Sequence, residues 1–165
     1  MLIFGTTVFA QLHAVLSLIG IGSGLIVLFG LLTAKPFEGW TRLFLATTVA
    51  TSATGFGFPF AHLLPSHKVG IISLVVLAVA IFARYGRGLA GPWRRVYVIG
   101  TVVALYFNVF VLVVQLFRKI PTLLVSAPTQ TEPPFVVTQL VVLGLFVVLG
   151  VGAAIRFRAE PAVAV

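Results

Sequence analysis

Cysteine is absent from all 165 residues, which excludes disulfides, thiol nucleophiles, thiolate metal sites and cysteine-ligated iron–sulfur clusters. Aspartate is absent as well, and the three glutamates, Glu38, Glu132 and Glu160, lie far apart in the chain. Catalysis by paired carboxylates therefore has no evident pair to use. No glycine-rich phosphate loop, HExxH or GxSxG occurs, and the GxG pieces at Gly20, Gly22, Gly55 and Gly57 fall inside apolar stretches, where they read as packing glycines. Enzymatic chemistry by the usual routes is not indicated.

Charge is scarce too: eleven basic and three acidic side chains amount to 8% of the chain. Against this, 60% of the residues are hydrophobic and the mean hydropathy is +1.19. So little polar surface cannot solvate a globule in water, and the solvent must be lipid. The charged residues cluster between apolar stretches of about 20 residues, the length that crosses a bilayer as a helix. A net charge of +8 raises the question of nucleic acid. The basic residues lie at the ends of apolar segments, however, where snorkelling and membrane orientation already account for them. The partner indicated is the lipid bilayer, and nucleic acid is set aside.

Five spans are expected, at 9–33, 41–64, 69–85, 96–117 and 135–155, with four as the alternative count. The N-terminal run has no basic region and stays apolar beyond the length of a signal segment, so it reads as a retained first span. Strands of a membrane barrel would be half as long and would alternate polar with apolar, so the class is all-α, a polytopic transmembrane helix bundle. Lys35, Arg42, Arg84, Arg87, Arg94, Arg95, Arg156 and Arg158 fall on one side, and Lys68, Arg118 and Lys119 on the other. The richer side is expected in the cytoplasm, with the N-terminus outside and the C-terminus cytoplasmic. Strong positive-inside bias in a compact multi-pass chain suits a bacterial inner membrane. The segment 118–134, with four prolines, is expected to be an exoplasmic connector or a lid.

Inside the spans, Ser17, Gly20 and Gly24 share a helix face, and Gly20 and Gly24 have the spacing that brings helix backbones close. Thr47, Thr48, Thr51, Ser52 and Thr54 give the second span hydroxyls that bond back to the helix or across to a neighbour. GFGFPF, with Gly55, Gly57 and Pro59, predicts a kink or break. The outer half of this topology also gathers polar side chains that lipid cannot satisfy: His13, His62, Asn108, Gln115 and Gln139, with Tyr106 nearby. These predict a polar pocket centred on His13, Asn108, Gln115 and Gln139. His67 is placed in the water-exposed loop beyond the second span.

Three functional classes follow. The leading one is a non-enzymatic membrane subunit or binding protein that uses this pocket, as a homo-oligomer or part of a larger membrane complex. The second is a redox module: His13 and His62 can clamp a haem iron, one histidine can hold a quinone, and His13, His62, His67 and Glu132 can supply ligands to a divalent metal. The third is a small-solute or proton transporter with a narrow route past Asn108. At the other end, Arg84, Arg87, Trp93, Arg94 and Arg95 make a basic aromatic hairpin expected to grip anionic headgroups at about 1 kcal/mol per basic residue.

Overall fold

The computed structural model describes residues 6–58 and 65–157, and every regular element within them is helical. Helix α1 is Thr6–Leu32. Helix α2, Glu38–Thr54, ends in a 3₁₀ turn at Gly55–Gly57. Helix α3, Pro65–Ile81, widens into a π turn at Phe82–Gly86. Helix α4 is Trp93–Lys119, α5 is Pro121–Ser126 and α6 is Pro133–Arg156. His62, Pro59, Arg158 and Glu160 lie outside the described residues. So does the predicted kink at Pro59, although the helix does loosen into the 3₁₀ turn just before it.

Among the described residues four helices are long and apolar enough to cross a membrane: Val8–Leu32, His67–Gly86, Trp93–Lys119 and Pro133–Arg156. The sequence of α2 explains its exclusion. Its 17 residues rise to about 26 Å at 1.5 Å each, short of a hydrocarbon core of about 30 Å. It also carries Glu38, Arg42 and five threonines.

The contacts set the directions of the helices. From His13 to Gly24 on α1, the partners on α2 run back from Thr54 to Phe44, so the two are antiparallel. The same reversal relates α2 to α3, where Ser52 meets Ser73 and Glu38 meets Arg84. It also relates α4 to α6, where Val102 meets Gly150 and Phe110 meets Gln139. Helix α4 is central, packing on all the other helices. Its buried face, Tyr97, Val98, Thr101, Leu105 and Asn108, follows the three-and-four spacing of a helix stripe. Helix α6 turns Leu140, Val141, Val148, Val151 and Ile155 outward, as an apolar solvent permits.

Close approach at Gly24 holds the middle together: a methyl there would lie 2.6 Å from Leu105 Cδ1 and 2.8 Å from the Phe44 ring. The expected role of Gly20 and Gly24 is thus met on two neighbours, α2 and α4. Below this level the core is mainly hydrocarbon, with Phe44, Leu77, Ala80 and Leu105 almost fully buried and Thr101 buried among them.

Segment 118–134, expected as a connector or a lid, carries the short helix α5. Pro121 sits in the first turn of α5 and Pro133 in that of α6, positions where a missing N–H costs nothing. Val113, Phe117 and Ala127 form a small second core there, with the Phe117 and Phe135 rings 5.3 Å apart. The turn before α6 is built on Glu132, whose carboxylate accepts from the Thr129 amide at 3.1 Å, the Thr129 hydroxyl at 2.8 Å and the Thr131 amide at 3.1 Å. Desolvation pushes the carboxyl up, but these hydrogen bonds together outweigh it and hold Glu132 below its ordinary value of 4.5. A depressed carboxylate stabilises the folded turn above its unfolded pKa and loses that contribution as pH falls through the folded value. Hydrogen-exchange protection of the Thr129 and Thr131 amides is therefore expected to drop below pH 4.5 in the wild type. In Glu132→Gln it should be lower at neutral pH and insensitive to acid. Equal protection in both proteins at neutral pH would refute the role of the carboxylate.

Candidate functional site

The upper half of the bundle, away from the Arg84 end, is built from hydroxyls. Thr47 donates to the Leu43 carbonyl at 2.7 Å and Thr54 to that of Ala50 at 2.7 Å, the back-bonding that keeps hydroxyls tolerable in an apolar helix. Three bonds then cross between helices at successive levels. Asn108 Nδ2 donates to Thr48 Oγ1 at 3.2 Å. Ser52 and Ser73 share a bond of 3.0 Å. His13 Nδ1 meets Thr54 Oγ1 at 2.9 Å. Gly20 makes room for the lowest: a methyl there would lie 3.3 Å from both Asn108 Nδ2 and Thr48 Oγ1.

These levels surround a cavity of about 240 Å³. Helix α1 contributes His13 and Ser17, and α2 and its 3₁₀ turn contribute Thr51, Ser52 and Gly55. Helix α3 gives His67, Gly70 and Ser73, and α4 gives Phe107, Asn108, Val111 and Gln115, with Phe58 closing one wall. Thr51 is 7% exposed, and its hydroxyl has no hydrogen-bond partner among the described residues.

His13, Asn108 and Gln115 of the expected pocket are therefore brought together, and two members are not. Gln139 lies at the α4–α6 contact, where Nε2 donates to the Phe110 carbonyl at 3.2 Å and Oε1 is buried without a partner among the described residues. Tyr106 lies on the same side, lining an apolar groove between α4 and α6 and packing its ring 5.8 Å from that of Phe146. Because Gln139 Oε1 is unpaired, Gln139→Leu is expected to be neutral or to stabilise by about 1 kcal/mol in thermal unfolding. A loss of more than about 1 kcal/mol would mean that the amide has a partner.

His67 is not in a solvated loop. It lies in the first turn of α3, 3% exposed, stacked on Phe56 with ring centroids 5.6 Å apart. Within the pocket His13 bonds to Thr54. Sequence reasoning missed Ser73 and Gly70, one turn apart on α3. The signal was there: a lone hydroxyl in an apolar span must find a partner, and Ser73 finds Ser52.

The metal and haem readings find little footing. Among the described residues no three metal-ligating side chains come together. Glu132 is spent within its own turn, and His62 lies outside the described residues. The cavity that His13 lines, about 240 Å³, is below the ~300 to 1,000 Å³ typical of drug-sized ligands and does not fit a haem. Among the described residues no continuous route is open beneath Asn108, where Phe44, Leu77 and Leu105 are almost fully buried.

At the opposite end, Arg84 departs from its expected headgroup role. It is buried, pairs with Glu38, and lies with its guanidinium carbon 5.0 Å from the Tyr97 ring centroid. Gly70, Ser73, Leu77, Ala80 and Arg84 follow one helical stripe, and the π turn continues that stripe inward. Arg87 lies over Trp93 at 5.5 Å. Arg87 and Arg95 are exposed, and Arg94 and Trp93 are half-buried.

Comparison with protein-family models, with curated proteins and with solved structures gave no match.

Proposed function

We propose that the chain is a small multi-pass binding protein, or ligand-holding subunit, of a bacterial inner membrane. In this reading α2 is the fifth span, carried across by its helical neighbours, so that the N-terminus lies outside and the C-terminus in the cytoplasm. Lys35, Arg42, Arg84, Arg87, Arg94, Arg95 and Arg156 then share the cytoplasmic end. Arg87, Trp93 and Arg95 meet lipid headgroups, and the cavity opens in the exoplasmic half. The exposed apolar face of α6 serves lipid or neighbouring subunits.

One observation carries the binding reading: a cavity walled by polar side chains, among them Thr51, whose buried hydroxyl has no partner among the described residues. Burying a polar group without a partner costs about 1 to 3 kcal/mol. A bundle surrounded by lipid has no reason to keep such a cavity for packing alone, since a larger apolar side chain would fill it more favourably. A bound molecule, or the water it displaces, completes the hydrogen bonds.

The test is extraction. Wild-type protein and Ser73→Leu, whose added side chain fills the cavity, are purified in mild detergent and their solvent extracts compared by mass spectrometry. A small molecule present near one per chain in the wild type and lost from Ser73→Leu supports the reading. Identical extracts from two folded proteins contradict it.

A further inference from the structure

The hydrogen bonds around His13 decide which ring nitrogen is left for a ligand. Thr54 commits its single hydroxyl hydrogen to the Ala50 carbonyl at 2.7 Å. Its oxygen can therefore only accept from His13 Nδ1, 2.9 Å away. Neutral His13 thus carries its hydrogen on Nδ1 and presents Nε2 as a bare acceptor. Nε2 has no hydrogen-bond partner among the described residues. Asn108 Oδ1 has none either, its amide nitrogen being spent on Thr48.

Donors are left over as well. Ser52 and Ser73 hold two hydroxyl hydrogens and share one bond, so one hydrogen remains. The Thr51 hydroxyl is buried and has no partner among the described residues. Phe58, Phe107 and Val111 supply apolar wall between these groups, and among the described residues neither lysine nor arginine lines the cavity. An anion therefore finds no fixed positive charge here, only the imidazoles of His13 and His67.

Acceptors and donors side by side, on an apolar wall, match a hydroxyl group, which donates once and accepts in return. Resting on the binding reading above, we propose that the cavity takes a compact alcohol or phenol. Its O–H donates to His13 Nε2, and its oxygen accepts the spare hydrogen of the serine pair. The size agrees: a cavity of about 150 Å³ holds benzene, so about 240 Å³ leaves room for a ring with small substituents. An ether or ketone of the same shape would satisfy the donors but leave Nε2 unpaired, which weakens binding by about tenfold or more.

The test uses 4-fluorophenol and 4-fluoroanisole with the protein in lipid nanodiscs, followed by fluorine NMR and read as binding in excess of empty nanodiscs. The expected result is about tenfold tighter binding of the phenol, with the preference lost in His13→Leu. A second readout needs no variant that must fold: nitrogen-15 histidine spectra of the wild type should show one neutral imidazole with its hydrogen on Nδ1, perturbed by the phenol. Equal binding of the two probes, or a hydrogen on Nε2 of the perturbed histidine, overturns the hydroxyl proposal and leaves the binding reading standing. Binding of neither probe, together with identical extracts from wild type and Ser73→Leu, overturns both.

Discussion

Glu38→Ala is expected to destabilise the protein by about 2 to 3 kcal/mol, more than Arg84→Met, even though Glu38 is the more exposed partner of the pair. The asymmetry follows from where each charge is left. The Arg84 side chain is 7% exposed and that of Glu38 56% exposed. Removing Glu38 strands a guanidinium under α2 with only the Tyr97 and Tyr85 faces, at 5.0 and 5.7 Å, for compensation. Removing Arg84 leaves a carboxylate that water already reaches. Methionine keeps most of the buried stem, so Arg84→Met loses chiefly the ring contacts and a half-exposed ion pair, together about 1 kcal/mol. Thermal unfolding of both single variants and the double variant in detergent checks this. The double variant should recover most of the Glu38→Ala loss, because it no longer buries an unpaired charge. Arg84→Met falling further than Glu38→Ala would mean that Arg84 serves packing and not pairing.

The second large effect is expected at Gly24. Valine there places its first carbon 2.6 Å from Leu105 Cδ1 and 2.8 Å from the Phe44 ring, and neither neighbour can withdraw, being 1% and 0% exposed. Overpacking by a single methylene costs about 1 to 3 kcal/mol. A branched side chain wedged between α1, α2 and α4 is expected to exceed about 3 kcal/mol and to abolish folded protein in membranes. Gly22 is the control: nothing lies within 4 Å of a methyl there, so Gly22→Val should stay within about 0.5 kcal/mol. Yield of monodisperse protein by size exclusion separates the outcomes, and comparable yields of the two variants would show that α1 is not held at Gly24.

Much of this was legible in the sequence because lipid is an unforgiving solvent. Apolar length marked α1, α3, α4 and α6, and the spacing of Gly20 and Gly24 marked the close approach. Polar side chains inside spans had to find partners, which is why His13, Asn108 and Gln115 could be foreseen to meet. Which partner they would find was not legible. One-helix periodicity places Gln139 on a face of α6 but cannot say which neighbour that face meets. Arg84 was misread for a different reason: its position at a span end suggested headgroups, while its register with Leu77 and Ala80 already placed it on the buried stripe. In 118–134 the expectation of a connector or lid named no helix, whereas Pro121 and Pro133 stand in the first turns of α5 and α6. The marginal length of α2 likewise shows that apolar run and helix length are different quantities when threonines fill half a face.

The absence of cysteine permits the most direct measurement of the central claim, that a polar cavity in a membrane-spanning bundle is reached from the exoplasmic side. Single cysteines are placed at Ser17, which lines the cavity, and at Leu145, which faces outward from α6. A small membrane-impermeant thiol reagent is then added to intact cells and to inverted vesicles. Rapid labelling is expected at position 17 from the cell exterior alone, slowed by 4-fluorophenol, with no labelling at position 145 from either side. Labelling at position 17 only from the cytoplasmic face, or no labelling there at all in folded protein, would contradict it.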